Sequence, residues 1–261
     1  MNPDILIVLA ARDEADRIAA TLAALERAFP GAPVWVADDG STDATPERAR
    51  AAGARVVRSE RGTPRRHGGV GKGQAMSAGV RAALASVDFL DANARARIGG
   101  DLDGLSSHSP TEPIVLLCDG DLGDCARELS PLVDAIERGE ADLAVAAFST
   151  RVGGGFGLAV AFARWAIRRR CGLSTRAPIS GQRALRASVL RDTLPFAPGF
   201  GMEVGMTIDA VRAGHRVVEI ELDLAHRATG RTLAGFLHRA RQLIDFMRAY
   251  MSRAGAGRQP T

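Results

Sequence analysis

The chain has little of the residue types on which several functional classes depend. Its 261 residues include two tryptophans and one tyrosine, and Lys72 is its single lysine. Nucleic acids are usually held by aromatic rings that stack on bases and by a concentrated basic surface. Here the rings are few and the positive charge, almost all of it arginine, is spread along the chain, which disfavours a nucleic-acid-binding function.

Cysteine is also scarce, since Cys118, Cys125 and Cys171 are the three in the chain. They are odd in number and lack the spacing of metal ligands, which favours a reducing cytoplasm over a disulfide framework. The amino terminus has no basic segment ahead of its first apolar run, so we expect no signal peptide and a cytoplasmic protein.

Long apolar runs are missing as well. The longest, residues 156–167, contains Arg164 and is shorter than the roughly 20 apolar residues that a membrane-spanning helix needs. Two basic amphipathic segments, residues 164–170 and the last helix, leave peripheral contact with the inner membrane face open. A solvated charged face is the commoner reason for such a pattern.

What the chain does have is the composition of a globular protein, with 46% hydrophobic and 25% charged residues. Its first half alternates short apolar runs with helical patterns, which predicts an α/β fold with a mostly parallel central sheet flanked by helices. The predicted strands are residues 5–10, 33–37, 55–58, 114–118, 142–147 and 216–221, and the predicted helices include residues 13–29, 74–87, 126–138 and 203–213.

We expect one domain over residues 1–261, with a first half at residues 1–124 and a second half at residues 125–261 that ends in an amphipathic helix. Residues 91–112 show no periodicity and are interpreted as an insertion or loop. Three glycines at residues 153–155 are interpreted as a hinge.

A buried strand ends in two carboxylates, Asp119 and Asp121, separated by Gly120. Side chains two residues apart on a strand point the same way, and ligands of open α/β sheets bind at the carboxyl ends of the strands. Carboxylate oxygens are suitable ligands for a Mg²⁺ or Mn²⁺ ion that also binds a substrate phosphate. A plain turn explains an isolated Asp-Gly-Asp equally well.

A second acidic segment, residues 38–43, follows the second predicted strand and includes Asp39. Its carboxylates and hydroxyls suit hydrogen bonds from a nucleobase or ribose, or they form the amino-terminal turn of a helix, with Thr42 or Asp43 as its cap. Glu14, after the first strand, either accepts hydrogen bonds from the nucleoside in the same way or stabilises the amino-terminal end of the following helix through the helix dipole.

Lys72 lies between Gly71 and Gly73 on a glycine-rich segment suited to a phosphate. The segment is not a P-loop, because Arg66 replaces the first glycine and Gly73 the hydroxyl residue. No dinucleotide-type glycine fingerprint follows the first strand, which disfavours a nicotinamide enzyme.

Four segments in this order, residues 10–14, 38–43, 71–73 and 119–121, resemble family 2 glycosyltransferases with the GT-A fold. The resemblance implies a metal-dependent transferase that binds a nucleotide sugar. It further implies the following roles: Ala11, Glu14 and Asp39 line the nucleoside pocket, Lys72 meets the nucleotide, Asp119 with Gly120 holds the ribose, and Asp121 holds the metal.

The second half is similar to glucosyl-3-phosphoglycerate synthases in residues 178–182, 199–205 and 226–227, although Gln182 stands where an acidic residue is usual. The resemblance implies that His226 completes the metal site with Asp121 and that residues 178–182 form an acceptor loop. Glu203 then orients acceptor or sugar, or is purely structural. The candidate acceptor-binding residues are Ser180, Gly181, Gln182, Arg183 and Arg227, and Arg231 is a candidate catalytic cation.

The expected activity is transfer of glucose from UDP-glucose to a small phosphorylated or acidic acceptor. In this scheme the metal, with Lys72 or Arg231, stabilises charge on the departing diphosphate, and Glu203 is the base if a hydroxyl is attacked with inversion. Two alternative functions stay open: transfer to a polyprenyl-phosphate acceptor at the membrane face, and a non-catalytic nucleotide-binding scaffold. Assembly as a homodimer is a separate open possibility.

Overall fold

The computed structural model describes residues 5–58, 71–86, 112–148, 157–223 and 233–253. Its strands are β1 (Ile5–Ala11), β2 (Val34–Asp38), β3 (Arg55–Arg58), β4 (Ile114–Asp119), β5 (Leu143–Phe148), β6 (Arg183–Arg186) and β7 (Val217–Leu222). Its α-helices are α1 (Ile18–Ala28), α2 (Thr45–Ala51), α3 (Lys72–Ser86), α4 (Ser130–Glu137), α5 (Gly157–Cys171), α6 (Ala187–Thr193), α7 (Met202–Arg212) and α8 (Leu233–Ser252). Short 3-10 helices occupy Gly123–Leu129 and Gly199–Gly201.

The strands of the described ranges form one sheet in the order β3-β2-β1-β4-β6-β5-β7. β1 pairs in parallel with β2 and β4, and β2 pairs in parallel with β3. β5 and β7 are also parallel, whereas β6 runs antiparallel to both of its neighbours, β4 and β5. The predicted mostly parallel α/β sheet is confirmed, and strands from both halves of the chain share it.

The strand β6 and helix α6, which follow the predicted acceptor loop, were not predicted from the sequence. β6 has four residues with an arginine at each end, so it lacks the apolar run that marks a strand buried on both faces. Arg183, Ala184 and Leu185 are nevertheless fully buried, since the strand lies between β4 and β5. Its burial is set by the neighbouring strands, which the local sequence does not show.

The two faces of the sheet carry separate parts of the core. On β1, Ile5, Ile7 and Leu9 pack on the side of α1 and α4, whereas Leu6 and Val8 pack on the side of α3 and α7. This division explains the uninterrupted apolar runs of β1 and β4, since both faces of a covered parallel sheet are dry. A third cluster fills the space between α5, α7 and α8.

Two predicted helices begin differently in the structure. Helix α1 begins at Ile18 and not at residue 13, because Asp13 has a φ of 53° and the following residues form turns bonded to the segment after β2. The predicted helix 126–138 is split into the 3-10 helix Gly123–Leu129 and α4.

Two of the predicted segments fall almost entirely outside the described residues. Apart from Glu112, the predicted insertion 91–112 lies outside the described residues, as does the glycine hinge at 153–155. No helix in the described ranges is long and apolar enough to cross a membrane.

Candidate active site

The carboxyl ends of β1, β2 and β4 meet at one edge of the sheet. Ala10 is in register with Asp119 of β4, and Ala11 is in register with Asp38 of β2. The residues that follow these strands, among them Glu14 and Asp39, are therefore brought to the same edge, as expected for parallel neighbours. The four sequence segments that carry the family resemblance include all three of these strand ends.

The tip of β4 is fixed to β1 and α1 through Gly120. Its N–H donates to the carbonyl oxygen of Ala10 at 2.8 Å, and its own carbonyl accepts from the hydroxyl of the fully buried Thr21 at 2.8 Å. A Cβ at position 120 would lie 3.1 Å from the Cβ of Ala11. Glycine therefore allows the tip to lie close against β1, and this sets the direction of the two flanking carboxylates.

Glu14 shares this edge with the carboxylates of the β4 tip. Burial raises the pKa of Glu14, and the negative charges of Asp121 and Asp119 raise it further. The effect of Asp121 on this pKa exceeds the opposing effect of the Arg17 guanidinium. A surplus of carboxylate oxygens of this kind favours binding of a hard divalent cation.

The described residues supply only part of a complete metal site. No group of three or more metal-ligating side chains occurs in the parts of the chain that the structure describes. Asp121 is exposed at the edge, while His226, the second predicted ligand, lies outside the described residues, as do Arg227 and Arg231. The oxygen donors present fit Mg²⁺ or Mn²⁺ in chemistry.

Asp39 ties the sheet edge to the start of α3. Its Oδ1 accepts a hydrogen bond from the N–H of Gly71 at 2.7 Å, and its Oδ2 lies 3.9 Å from Nη1 of Arg12. Gly71 has a φ of 103°, a conformation that glycine adopts without steric cost. Arg12 was not assigned a role from the sequence, although it lies inside the first motif; it places a cation next to the predicted nucleoside residue.

The hydroxyls and carboxylates after Asp39 mainly hold the two loops of this edge together. The N–H of Glu14 donates to Oγ1 of Thr45 at 2.7 Å, and that of Asp13 donates to Oγ of Ser41 at 3.0 Å. Asp43 accepts from the N–H of Thr45 at the start of α2. Residues 38–43 thus form the turn that leads into α2, as the structural alternative expected, but the residue at the cap position is Ala44 and neither Thr42 nor Asp43.

Lys72, the first residue of α3, joins the two halves of the candidate site. Its Nζ lies 2.6 Å from Oδ1 of Asp119 and 2.9 Å from Oε1 of Glu203. Burial alone would lower the pKa of Lys72, but the charges and hydrogen bonds of the two carboxylates outweigh it and the net pKa is raised. Lys72 is therefore a permanent cation at the centre of the site.

The acceptor loop reaches the same cluster. Nε2 of Gln182 donates to Oδ2 of Asp119 at 2.8 Å, and Oγ of Ser180 donates to Oε1 of Gln182 at 3.3 Å. A Cβ at Gly181 would lie 2.6 Å from both Oδ2 of Asp119 and Nζ of Lys72. The loop therefore lies against the Lys72 and Asp119 pair only because residue 181 lacks a side chain.

The position of Arg183 does not fit its predicted role in acceptor binding. It is fully buried, its Nε donates to the carbonyl of Ser180 at 2.8 Å, and its Nη1 donates to Oγ1 of Thr207 at 3.0 Å. Burial lowers the pKa of Arg183 to about 10. With no exposed surface to offer an acceptor, Arg183 fixes the acceptor loop to α7, and we correct its predicted role to positioning.

Glu203 is placed by α7, the helix to which Arg183 binds. It lies in the first turn of the helix and is almost fully buried. A carboxylate at this end of a helix is stabilised by the helix dipole, and here it also faces the ammonium of Lys72. The sequence indicated Glu203 as a candidate but gave no sign that Lys72 would be its partner.

Comparisons with known proteins find similarity to glycosyltransferases. Residues 6–88 match the model of glycosyl transferase family 2. A curated glucosyl-3-phosphoglycerate synthase from Mycolicibacterium paratuberculosis is 31% identical in an alignment of 213 positions, which covers 78% of this chain and 59% of that protein. The chain thus spans about three fifths of the length of this relative.

Similar solved structures extend the likeness to nearly the whole chain. Glucosyl-3-phosphoglycerate synthase from Mycobacterium tuberculosis in complex with phosphoglyceric acid is 29% identical, with a TM-score of 0.69, and the match covers 98% of this chain and 81% of that chain. The complex of the same enzyme with Mn²⁺, uridine-diphosphate-glucose and phosphoglyceric acid gives a TM-score of 0.67, with the same identity and coverage. The chain therefore has the GT-A fold, carries a glycosyl transferase family 2 domain at residues 6–88, and resembles glucosyl-3-phosphoglycerate synthases over most of its length.

Proposed function

We propose that the protein is a metal-dependent glucosyltransferase that transfers glucose from UDP-glucose to a small phosphorylated acceptor. The observation that carries the proposal is the position of Lys72 between Asp119, at the end of the donor strand β4, and Glu203, at the start of α7. The M. tuberculosis synthase, a structural relative, binds Mn²⁺, uridine-diphosphate-glucose and phosphoglyceric acid, which supports this donor and this class of acceptor.

In this proposal the nucleotide lies along the edge formed by β1, β2 and β4. Ala11, Glu14 and Asp39 contact the nucleoside, and Asp119 with Gly120 contacts the ribose. Asp39 is oriented by the N–H of Gly71, so its second oxygen keeps a defined direction. Arg12, 3.9 Å from Asp39, supplies positive charge on the donor side.

Asp121 and His226 are the proposed metal ligands. These two side chains would hold Mg²⁺ or Mn²⁺, which would supply positive charge for the departing diphosphate. The raised pKa of Glu14, caused by burial and by Asp121 and Asp119, supports cation binding at this edge.

Lys72 supplies fixed positive charge where the two substrates meet. The ammonium is held between Asp119 and Glu203, with the lysine side chain 20% exposed, so little reorganisation is needed before it stabilises new negative charge. We propose that it exchanges one carboxylate partner for a diphosphate oxygen when the donor binds. Arg231 is the proposed second cation of this step.

The acceptor is proposed to lie against Ser180, Gly181 and Gln182, with Arg227 as the residue that binds its anionic group. Glu203 orients the acceptor or the sugar. If the acceptor attacks through a hydroxyl with inversion, Glu203 accepts the proton. Arg183 keeps the loop in position through its bond to the carbonyl of Ser180.

The proposal is tested by calorimetric titration with UDP-glucose in the presence and absence of Mn²⁺, followed by a transfer assay with phosphoglyceric acid. Asp121→Asn should abolish the Mn²⁺-dependent part of binding. Asp124→Asn is the matched control, because Asp124 is an exposed carboxylate nearby in sequence whose partner is Arg27, and it should bind like the wild type.

Absence of nucleotide-sugar binding by the wild type would overturn the transferase proposal and favour a scaffold. Binding with transfer to polyprenyl phosphate, and none to phosphoglyceric acid, would instead replace the proposed acceptor.

A further inference from the structure

The large hydrophobic side chains that are exposed in the described parts of the chain are confined to two neighbouring helices, α5 and α8. On α5 they are Leu158, 84% exposed, and Trp165, 50% exposed. On α8 they are Ile244, Met247 and Met251, the last 66% exposed. Scattered exposed apolar residues are normal, but their confinement to one place marks an interaction surface.

These residues form one continuous stripe across both helices, which we call the α5/α8 patch: Leu158, Phe162, Trp165, Ile244, Met247, Tyr250 and Met251. The two helices are joined by three rings, since the ring centroid of Trp165 lies 5.0 Å from that of Tyr250 and 5.5 Å from that of Phe162. Leu158 is one helical turn from Phe162, and Met247 is one turn from both Tyr250 and Met251. The patch is therefore contiguous.

Positive charge surrounds the patch. The arginines on the two helices near it are Arg164, Arg168, Arg169, Arg170 and Arg248, all exposed except the half-buried Arg170. The guanidinium of Arg170 lies 3.8 Å above the ring of Tyr250, which connects the basic rim directly to the aromatic centre. Arg164 also donates to the carbonyl of Arg176.

Negative charge is missing from the same helices. Helix α5 contains no aspartate or glutamate, and the single acidic residue of α8 is Asp245. Asp245 is buried and lies 3.6 Å from Arg248. The α5/α8 patch thus combines apolar and aromatic side chains with a rim of one sign.

We propose that the α5/α8 patch docks on an anionic lipid surface. Aromatic and aliphatic side chains enter the boundary between headgroups and acyl chains, and each arginine near an anionic membrane contributes about 1 kcal/mol. A second copy of the chain is the less suitable occupant, because a two-fold contact through this patch sets one basic rim against another. The proposal is independent of the transferase chemistry.

The patch also has a built-in probe, since Trp165 is one of two tryptophans and the other, Trp35, is 2% exposed in the core. Binding is measured by co-sedimentation with vesicles of equal parts phosphatidylglycerol and phosphatidylcholine, and with vesicles of phosphatidylcholine alone. We expect binding to the anionic vesicles, a blue shift of Trp165 emission on binding, and loss of both at high ionic strength.

Two double variants distinguish the contribution of the patch arginines to vesicle binding from the effect of the protein's overall positive charge. Arg168→Gln/Arg169→Gln should lower the partition coefficient roughly 25-fold. Arg50→Gln/Arg81→Gln is the matched control, because it removes the same charge from the exposed faces of α2 and α3 and should change binding little. Equal losses in both pairs would overturn the patch assignment.

A third pair tests the apolar contribution. Met247→Gln/Met251→Gln changes two exposed side chains without altering charge, and we expect at least about a tenfold loss of vesicle binding. The proposal is also overturned if the wild type does not bind anionic vesicles. It is overturned equally if light scattering shows a dimer that this variant converts to monomer, since a second copy then covers the patch.

Discussion

The ammonium of Lys72 lies 2.6 Å from Oδ1 of Asp119, and these are the only lysine of the chain and the last residue of the central strand β4. The same ammonium lies 2.9 Å from Glu203. One cation thus serves two carboxylates that come from different halves of the sequence, and the loss of that cation affects both.

Lys72→Met should lower both activity and stability. The variant leaves the buried Glu203 and the partly exposed Asp119 without their common partner, and breaking a buried ion pair from one side costs about 3 kcal/mol. Glucosyl transfer should fall at least about 100-fold because fixed positive charge is lost. Thermal unfolding and a transfer assay measure the two effects.

The double variant Lys72→Met/Glu203→Gln separates these effects. Removing the uncompensated carboxylate should restore much of the stability but none of the activity. Recovery of transfer in the double variant would show that Lys72 serves only to neutralise Glu203.

Gly181→Ala should reduce transfer at least about tenfold with little loss of stability. The added methyl would lie 2.6 Å from Nζ of Lys72 and from Oδ2 of Asp119, so the loop or the ion pair must shift. The atoms that must move are the ends of side chains, so the cost to folding is small. Gly157→Ala is the control, because nothing lies within 4 Å of a Cβ there, and it should leave kcat/KM unchanged.

Arg183→Met should destabilise the fold by about 3 kcal/mol, because hydrogen bonds from a charged group to Ser180 and Thr207 are lost. Arg50→Met, at an exposed position on α2, should stay within about 0.5 kcal/mol of the wild type. Urea unfolding of both variants provides the comparison. A wild-type midpoint for Arg183→Met would show that the loop is held by other contacts.

Glu219→Gln should destabilise the protein at neutral pH and have less effect in acid. Burial opposes ionisation of Glu219, but hydrogen bonds from Thr175 and from the N–H groups of Ala177 and Arg176 outweigh it and lower its pKa. A carboxyl with a lowered folded pKa contributes stability above its unfolded pKa and loses it as the pH falls through the folded pKa. The difference in unfolding free energy between wild type and variant should shrink over that range.

Glu14→Gln should change the free energy of unfolding in the opposite direction and stabilise the protein at neutral pH. Burial and the charges of Asp121 and Asp119 raise the pKa of Glu14, so its ionisation costs stability as the pH rises from the unfolded to the folded pKa. The variant should therefore be more stable than the wild type near neutral pH and equal to it below the unfolded pKa. Melting temperatures across this range give the measurement, and a destabilised variant at neutral pH would contradict the expected sign.

The sequence was sufficient for the framework of the sheet and for the residues at its edge. The apolar runs of β1 and β4 were recognisable because both faces are buried. Asp119 ends β4 and Asp39 follows β2, and both strands lie in register with β1. The sequence was insufficient for β6, whose Arg183 is buried by its neighbours and not by local pattern. The contact between Lys72 and Glu203 depends on how α3 and α7 pack on the sheet, and no local spacing indicates it.

The reversed direction of β6 places its amino-terminal end beside the carboxyl-terminal end of β4. Because β6 runs against β4, its first residue, Arg183, lies at the edge where β4 ends, and Gln182 just before it reaches Asp119. The loop before β6 can therefore vary in sequence without changes to the parallel strands that carry the proposed donor residues. Under the proposed function, such variation would change the acceptor that is bound, provided that residue 181 stays small enough to lie beside Lys72.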